Sequence, residues 1–134
     1  MSSGAGVRVS EGKVRSFQDL DVYKRLCDAL KIVSEEIIPK LPSHEKFDLA
    51  DQIRRASKAP IAILAEGYAK RSYNREWLKY INDCIGECNE MMAHLGICKS
   101  IYIKYFESAL LDQLIEQYDI CGKQLYRLGQ SWQK

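Results

Sequence analysis

The chain has 134 residues and a mass of 15.4 kDa, enough for one domain with a sizeable core. A hydrophobic share of 46% and a charged share of 28%, with only 8 Gly and 3 Pro, exclude collagen-like and Pro-rich chains and argue against a turn-dense all-β fold. The net charge is +2, no apolar run approaches the ~18 residues of a membrane span, and Met1 to Gly12 lacks a signal-peptide core, so one soluble, cytoplasmic domain is expected.

Residues 1–15 are polar and aperiodic and read as a disordered tail before a domain over 16–134. From Asp19 the pattern changes. Tyr23, Leu26, Leu30, Val33 and Ile37 fall on one stripe of a first helix over about 19–38, which Pro39 and Pro42 bring to an end. Ser43 offers a cap, with Glu45 in the first turn, for a second helix over about 44–71. Its stripe is Phe47, Ala50, Ile53, Ser57, Pro60 or Ile61, Leu64 and Tyr68, and Pro60 should bend it. The many Ala and Ser residues between Ala50 and Ala65 let neighbours approach closely, which makes this the central helix.

Ser72 can cap a third helix over about 73–99, with Trp77, Ile81, Cys84 or Ile85, Cys88, Met92 and Leu95 inward. Leu110, Leu114, Tyr118, Cys121, Leu125 and Leu128 define a fourth over about 104–129, with Gly129 as its stop signal. No segment alternates with period two long enough to form a strand. Four such helices with short connections predict an all-α, antiparallel up-down-up-down bundle.

Charge is unevenly spread. Between Gln52 and Lys79 lie Arg54, Arg55, Lys58, Lys70, Arg71, Arg75 and Lys79 against only Glu66 and Glu76. Two readings are open: a basic stripe for polyanions, or a solvated helix face. Tyr68, Tyr73, Trp77 and Tyr80 interleave with the later cations, as base-stacking groups would, although Trp77 and Tyr80 also suit a core or a subunit interface. Glu66, beside Gly67 in an apolar run, is a candidate buried or interface carboxylate, with an exposed position as the other reading. Asp83, Glu87 and Glu90 form one acidic edge of the third helix, placed either to meet a neighbouring subunit's cations or to face water.

Evidence for catalysis is sparse. There is no phosphate loop, nucleophile elbow or H-E-x-x-H, and His94 lies four residues after Glu90 where a di-iron site needs three. Neither histidine, His44 or His94, joins the cysteines in a zinc pattern, and both read as exposed or half-buried. The five cysteines, Cys27, Cys84, Cys88, Cys98 and Cys121, read as free thiols packed in a core. No metal, cofactor or catalytic residue is assigned.

Three segments carry a resemblance: Phe17-Gln-Asp-Leu-Asp-Val-Tyr23, Asp51-Gln-Ile-Arg-Arg-Ala-Ser57 and Ala65-Glu-Gly67. Together, over about residues 16–130, they resemble the bacterial four-helix-bundle family of 23S ribosomal RNA intervening-sequence proteins and Avd (accessory variability determinant) proteins of diversity-generating retroelements. The resemblance implies a protomer that assembles into a homopentameric barrel with a basic surface. In the Avd branch it implies binding to a reverse transcriptase and to nucleic acid without catalysis by the bundle. Ile63 stands where members often carry Asn, and Ile85-Gly-Glu-Cys-Asn-Glu-Met-Met92 departs from the usual intervening-sequence pattern, leaning toward the Avd-like side.

The leading expectation is therefore a non-catalytic, oligomeric, Avd-like nucleic-acid-binding protein that uses the seven cations. An intervening-sequence protein with an RNA-associated or scaffolding role is the alternative, and an enzyme using Glu66 is the third.

Overall fold

A computed structural model describes residues 14–132. Four helices dominate it: α1 (Asp21–Ile32), α2 (Leu49–Ala69), α3 (Asn74–Ile101) and α4 (Ser108–Ser131). No strand occurs among the described residues. The expected tail falls largely outside them. Around the bundle α1 packs on α2 and α4, and α3 packs on α2 and α4, which closes a square. Contacts between α2 and α3 step down one helix as they step up the other, from Gly67 at Tyr80 through Pro60 at Cys84 to Arg55 at Glu90. That is the antiparallel arrangement that the short connections predict.

The core follows the predicted stripes with local changes of phase. In α1 the buried positions are Val22, Leu26 and Ala29, continued by Val33 and Ile37, so Tyr23 and Leu30 sit half-buried on the flank. The chain leaves α1 through a π-helical turn, Val33–Ile37, and a 3-10 turn, Ile38–Lys40, that accommodates Pro39 near its start. Upstream, Ser16 and Asp19 form a capping box: Ser16 Oγ accepts from the Gln18 N–H at 3.3 Å, and Asp19 accepts from the Ser16 N–H at 3.2 Å.

Six expectations need correction. Ser43 does not cap α2; Ser43–Glu45 is a separate 3-10 turn, and Glu45 Oε1 takes the N–H of Leu49 at 3.0 Å. Because α2 therefore starts later, Phe47 precedes the helix and is 83% exposed. Ser72 does not cap α3, whose N-cap is Tyr73, and within α3 Met91 and His94 are buried where Met92 was expected. Gly129 does not stop α4, which runs on to Ser131 and buries Leu111 in place of Leu110.

Gly129 has a packing reason instead. A Cβ there would stand 3.1 Å from Ile81 Cγ2, and the Gly129 carbonyl accepts the indole N–H of fully buried Trp77 at 3.2 Å. Helix α2 stays continuous through Pro60, whose own carbonyl accepts the Cys84 thiol at 3.4 Å.

Candidate nucleic-acid interface

The antiparallel fold divides the basic stretch in two. From Arg54 to Lys70 the chain rises ~24 Å along α2, so Arg54, Arg55 and Lys58 flank the middle of the bundle. Lys70, Arg71, Arg75 and Lys79 gather where α2 turns into α3. The seven cations share no single patch.

Most of the mid-bundle charge is neutralised within the chain. Arg54 Nη1 pairs with Asp51 at 2.6 Å. Arg55 reaches across to α3, with Nη2 2.5 Å from Glu90 and Nη1 3.4 Å from Glu87. The bond to Glu90 raises the Arg55 pKa and, reciprocally, holds the Glu90 carboxyl below its ordinary value. Glu90 also meets Nε2 of buried His94 at 3.1 Å. The acidic edge is thus directed at its own chain: Glu87 and Glu90 serve Arg55, and Asp83 takes Lys79 at 3.1 Å. Lys58 makes no ion pair among the described residues.

The hairpin end is different. Arg71 donates to the Tyr68 carbonyl at 2.7 Å, closing the C-terminus of α2, and its guanidinium lies 3.9 Å from the Tyr68 ring centroid. Four of the five guanidinium N–H groups remain for a ligand. Lys70 sits over the Tyr80 ring at 5.5 Å, and Arg75 is exposed without an ion pair among the described residues. Tyr80 donates to Glu66 at 3.0 Å. Of the readings open for Glu66, burial within the chain is not found: it is exposed, with the Tyr80 hydroxyl as its partner. Glu76 occupies the first turn of α3, where the helix dipole favours a carboxylate.

Of the interleaved aromatics, Trp77 and Tyr68 belong to the core, where both meet Trp132 edge-on, and Tyr80 is half-buried between α2 and α3. Tyr73, at 64% exposure, presents its ring to solvent beside Arg71 and Arg75. The reason for Gly67 is also here. A Cβ on it would come within 2.6 Å of Tyr80 Cβ, so the glycine lets α2 and α3 meet closely just before the basic turn.

A family model described as 23S rRNA-intervening sequence protein matches residues 18–127. The chain belongs to that family. The match begins ahead of α1 and ends inside α4, so it takes in nearly the whole bundle. No curated protein and no solved structure matches the chain.

Elsewhere in this intervening-sequence protein, one constellation has the outline of a proton relay: His44 Nε2 lies 3.2 Å from the Tyr102 hydroxyl, which donates to Glu45. The Glu45 bond pushes the Tyr102 phenol up to about 12 and holds it protonated, and Glu45 is also occupied in starting α2. Burial pushes the Cys84 and Cys121 thiols up to about 12 and Cys88 higher still, the reverse of activation. Among the described residues no group of three or more His, Cys, Asp or Glu side chains could hold a metal ion, and no helix is long and apolar enough to cross a membrane.

The sequence reading passed over Tyr126 and Arg127, both exposed near the end of α4. The signal available was an aromatic beside a cation on the polar side of the α4 stripe.

Proposed function

We propose that this intervening-sequence protein is a non-catalytic, cytoplasmic RNA-binding protein that works as a homo-oligomer and grips phosphates with its α2–α3 hairpin. The observation that carries the reading is the concentration of Lys70, Arg71 and Arg75, none of them in an ion pair among the described residues, around solvent-facing Tyr73. Cations free of carboxylates neutralise phosphates and release counterions, and an exposed ring stacks on an unpaired base. Repetition of the hairpin around a homopentamer would multiply a modest patch through avidity. The family match favours the intervening-sequence branch over the Avd-like branch with its reverse-transcriptase partnership, and co-purification with a reverse transcriptase would reverse that order.

Titration of a labelled structured RNA at increasing salt tests the reading. The logarithm of affinity should fall linearly with the logarithm of salt, by about 0.7–0.9 per phosphate contacted. Lys70→Gln with Arg75→Gln should flatten that slope by about 1.5 and weaken binding at least about tenfold. Arg54→Gln, which touches a cation already held by Asp51, should leave binding nearly unchanged. Binding that is absent at low salt, or indifferent to the hairpin substitutions, refutes the assignment.

A further inference from the structure

A groove of about 520 Å³ runs between α3 and α4 on the outer side of the bundle, away from the hairpin and unused by the reading above. Its floor is Ile85 and Met92 of α3 and Gly122 of α4. Beyond its chain neighbours and the backbone of its own helix, nothing lies within 4 Å of where a Gly122 Cβ would stand, so the floor is open. A glycine inside a helix costs roughly 0.5–1 kcal/mol against alanine, and here no neighbouring element uses the space it leaves. Tyr126, one turn after Gly122 and 62% exposed, forms a wall. Asn89 lines the edge with an exposed side chain, and Arg127, without an ion pair among the described residues, stands on the rim. Asp119 also lines the groove, but its carboxylate is held by Lys123 at 2.9 Å, so the rim is positive on balance.

An aromatic wall, an apolar floor, an amide offering a donor and an acceptor side by side, and a cation at the mouth are what a heteroaromatic base on a phosphate backbone needs. The groove is also in line with the hairpin. Arg75, Asn82, Gly86 and Asn89 lie along one exposed face of α3, with no carboxylate in that line, and Asp83 beside it is turned onto Lys79. From Arg75 to Asn89 the helix rises ~21 Å, a span of a few nucleotides.

We propose that the α3–α4 groove is a subsite for an unpaired nucleobase of the strand whose phosphates the hairpin holds. The proposal rests on the hairpin reading and adds a ligand moiety that phosphate binding alone does not require.

The test compares two probes on the full chain: a short fluorescent oligoadenylate and an abasic oligonucleotide with the same sugar–phosphate backbone. Oligoadenylate should bind about tenfold more tightly or better, the effect of one stacked base. Tyr126→Ala and Gly122→Leu should each bring oligoadenylate down to the abasic affinity while abasic binding stays as it was. Lys70→Gln with Arg75→Gln should weaken both probes alike. Circular dichroism melts establish that each variant folds, and Tyr126→Ala carries the test by itself if Gly122→Leu does not.

Equal affinity for the two probes, or indifference to both groove variants, overturns the subsite and leaves the hairpin reading standing. A smaller assembly for Gly122→Leu in light scattering makes the groove an interface between copies and overturns it too. Failure of both probes to bind at low salt removes the hairpin reading and the subsite together.

Discussion

The hairpin end of the bundle and its midsection hold similar numbers of cations and, Lys58 and Lys79 apart, treat them in opposite ways. At the midsection Arg54 and Arg55 are answered by Asp51, Glu87 and Glu90, and Glu90 is shared with buried His94. At the hairpin Lys70 and Arg71 rest on tyrosine rings and Arg75 stands in solvent. The difference comes from register. An antiparallel α3 carries Glu87 and Glu90 to the level of Arg55 and leaves Asp83 to Lys79, while of the carboxylates next to the turn in sequence Glu66 is taken by Tyr80 and Glu76 is set in a helix N-terminus. Availability for a polyanion therefore depends on what the neighbouring helix brings alongside a cation as much as on how many cations a stretch contains.

The contrast requires a rigid hairpin, and Trp77 is the means of testing that rigidity. It is fully buried, meets Trp132 edge-on and donates to Gly129 across the end of the bundle. Trp77→Ala should cost about 3–5 kcal/mol, the largest single effect expected, read as a lower urea midpoint. A hairpin loosened in this way should lose RNA affinity, whereas the Arg55–Glu90 pair, more than three helical turns away, should persist. An unchanged affinity in a destabilised variant would separate phosphate binding from hairpin geometry.

Two glycines sharpen the comparison at the level of the backbone. A methyl on Gly67 would meet Tyr80 Cβ, an atom tied to the α3 backbone, so the helices themselves would have to part. Gly67→Ala should destabilise by about 1–3 kcal/mol, less whatever helix propensity returns. Gly86, exposed on α3, faces nothing within 4 Å, and Gly86→Ala should stabilise by roughly 0.5–1 kcal/mol. Thermal melts of the two variants should move in opposite directions. A shift of the same sign would mean that close approach at the hairpin is not what Gly67 provides.

Much of the fold was legible because burial repeats every three or four residues, and spacing of that kind reports helices and their inward faces without reference to any partner. The misreadings cluster where a local signal met a tertiary demand. Ser43 and Gly129 carry good end-of-helix chemistry, but α2 is started by Glu45 and α4 is drawn past Gly129 by contact with Ile81 and Trp77. Phe47 looked like the head of a stripe and lies outside the helix that the stripe belongs to. The site was legible only as composition. Seven cations could be counted, but pairs that join residues 32 and 35 positions apart, Arg55 to Glu87 and to Glu90, exist only once the register of α2 on α3 is fixed.

The midsection should respond to acid, and the sign follows from Glu90. Its pKa in the folded chain lies below the ordinary 4.5, chiefly through the Arg55 hydrogen bond, so the charged form is favoured by folding. That contribution is complete above about pH 4.5 and fades as pH falls through the lowered value. The pair is partly exposed and screened, so the loss should be about 1 kcal/mol or less. Urea titrations of the wild type and Glu90→Gln should differ at neutral pH and converge in acid. A constant gap between them would place the stabilising effect of Glu90 in packing around His94 instead of in its charge. RNA affinity should not follow this titration, because Lys70, Arg71 and Arg75 have no carboxylate to release.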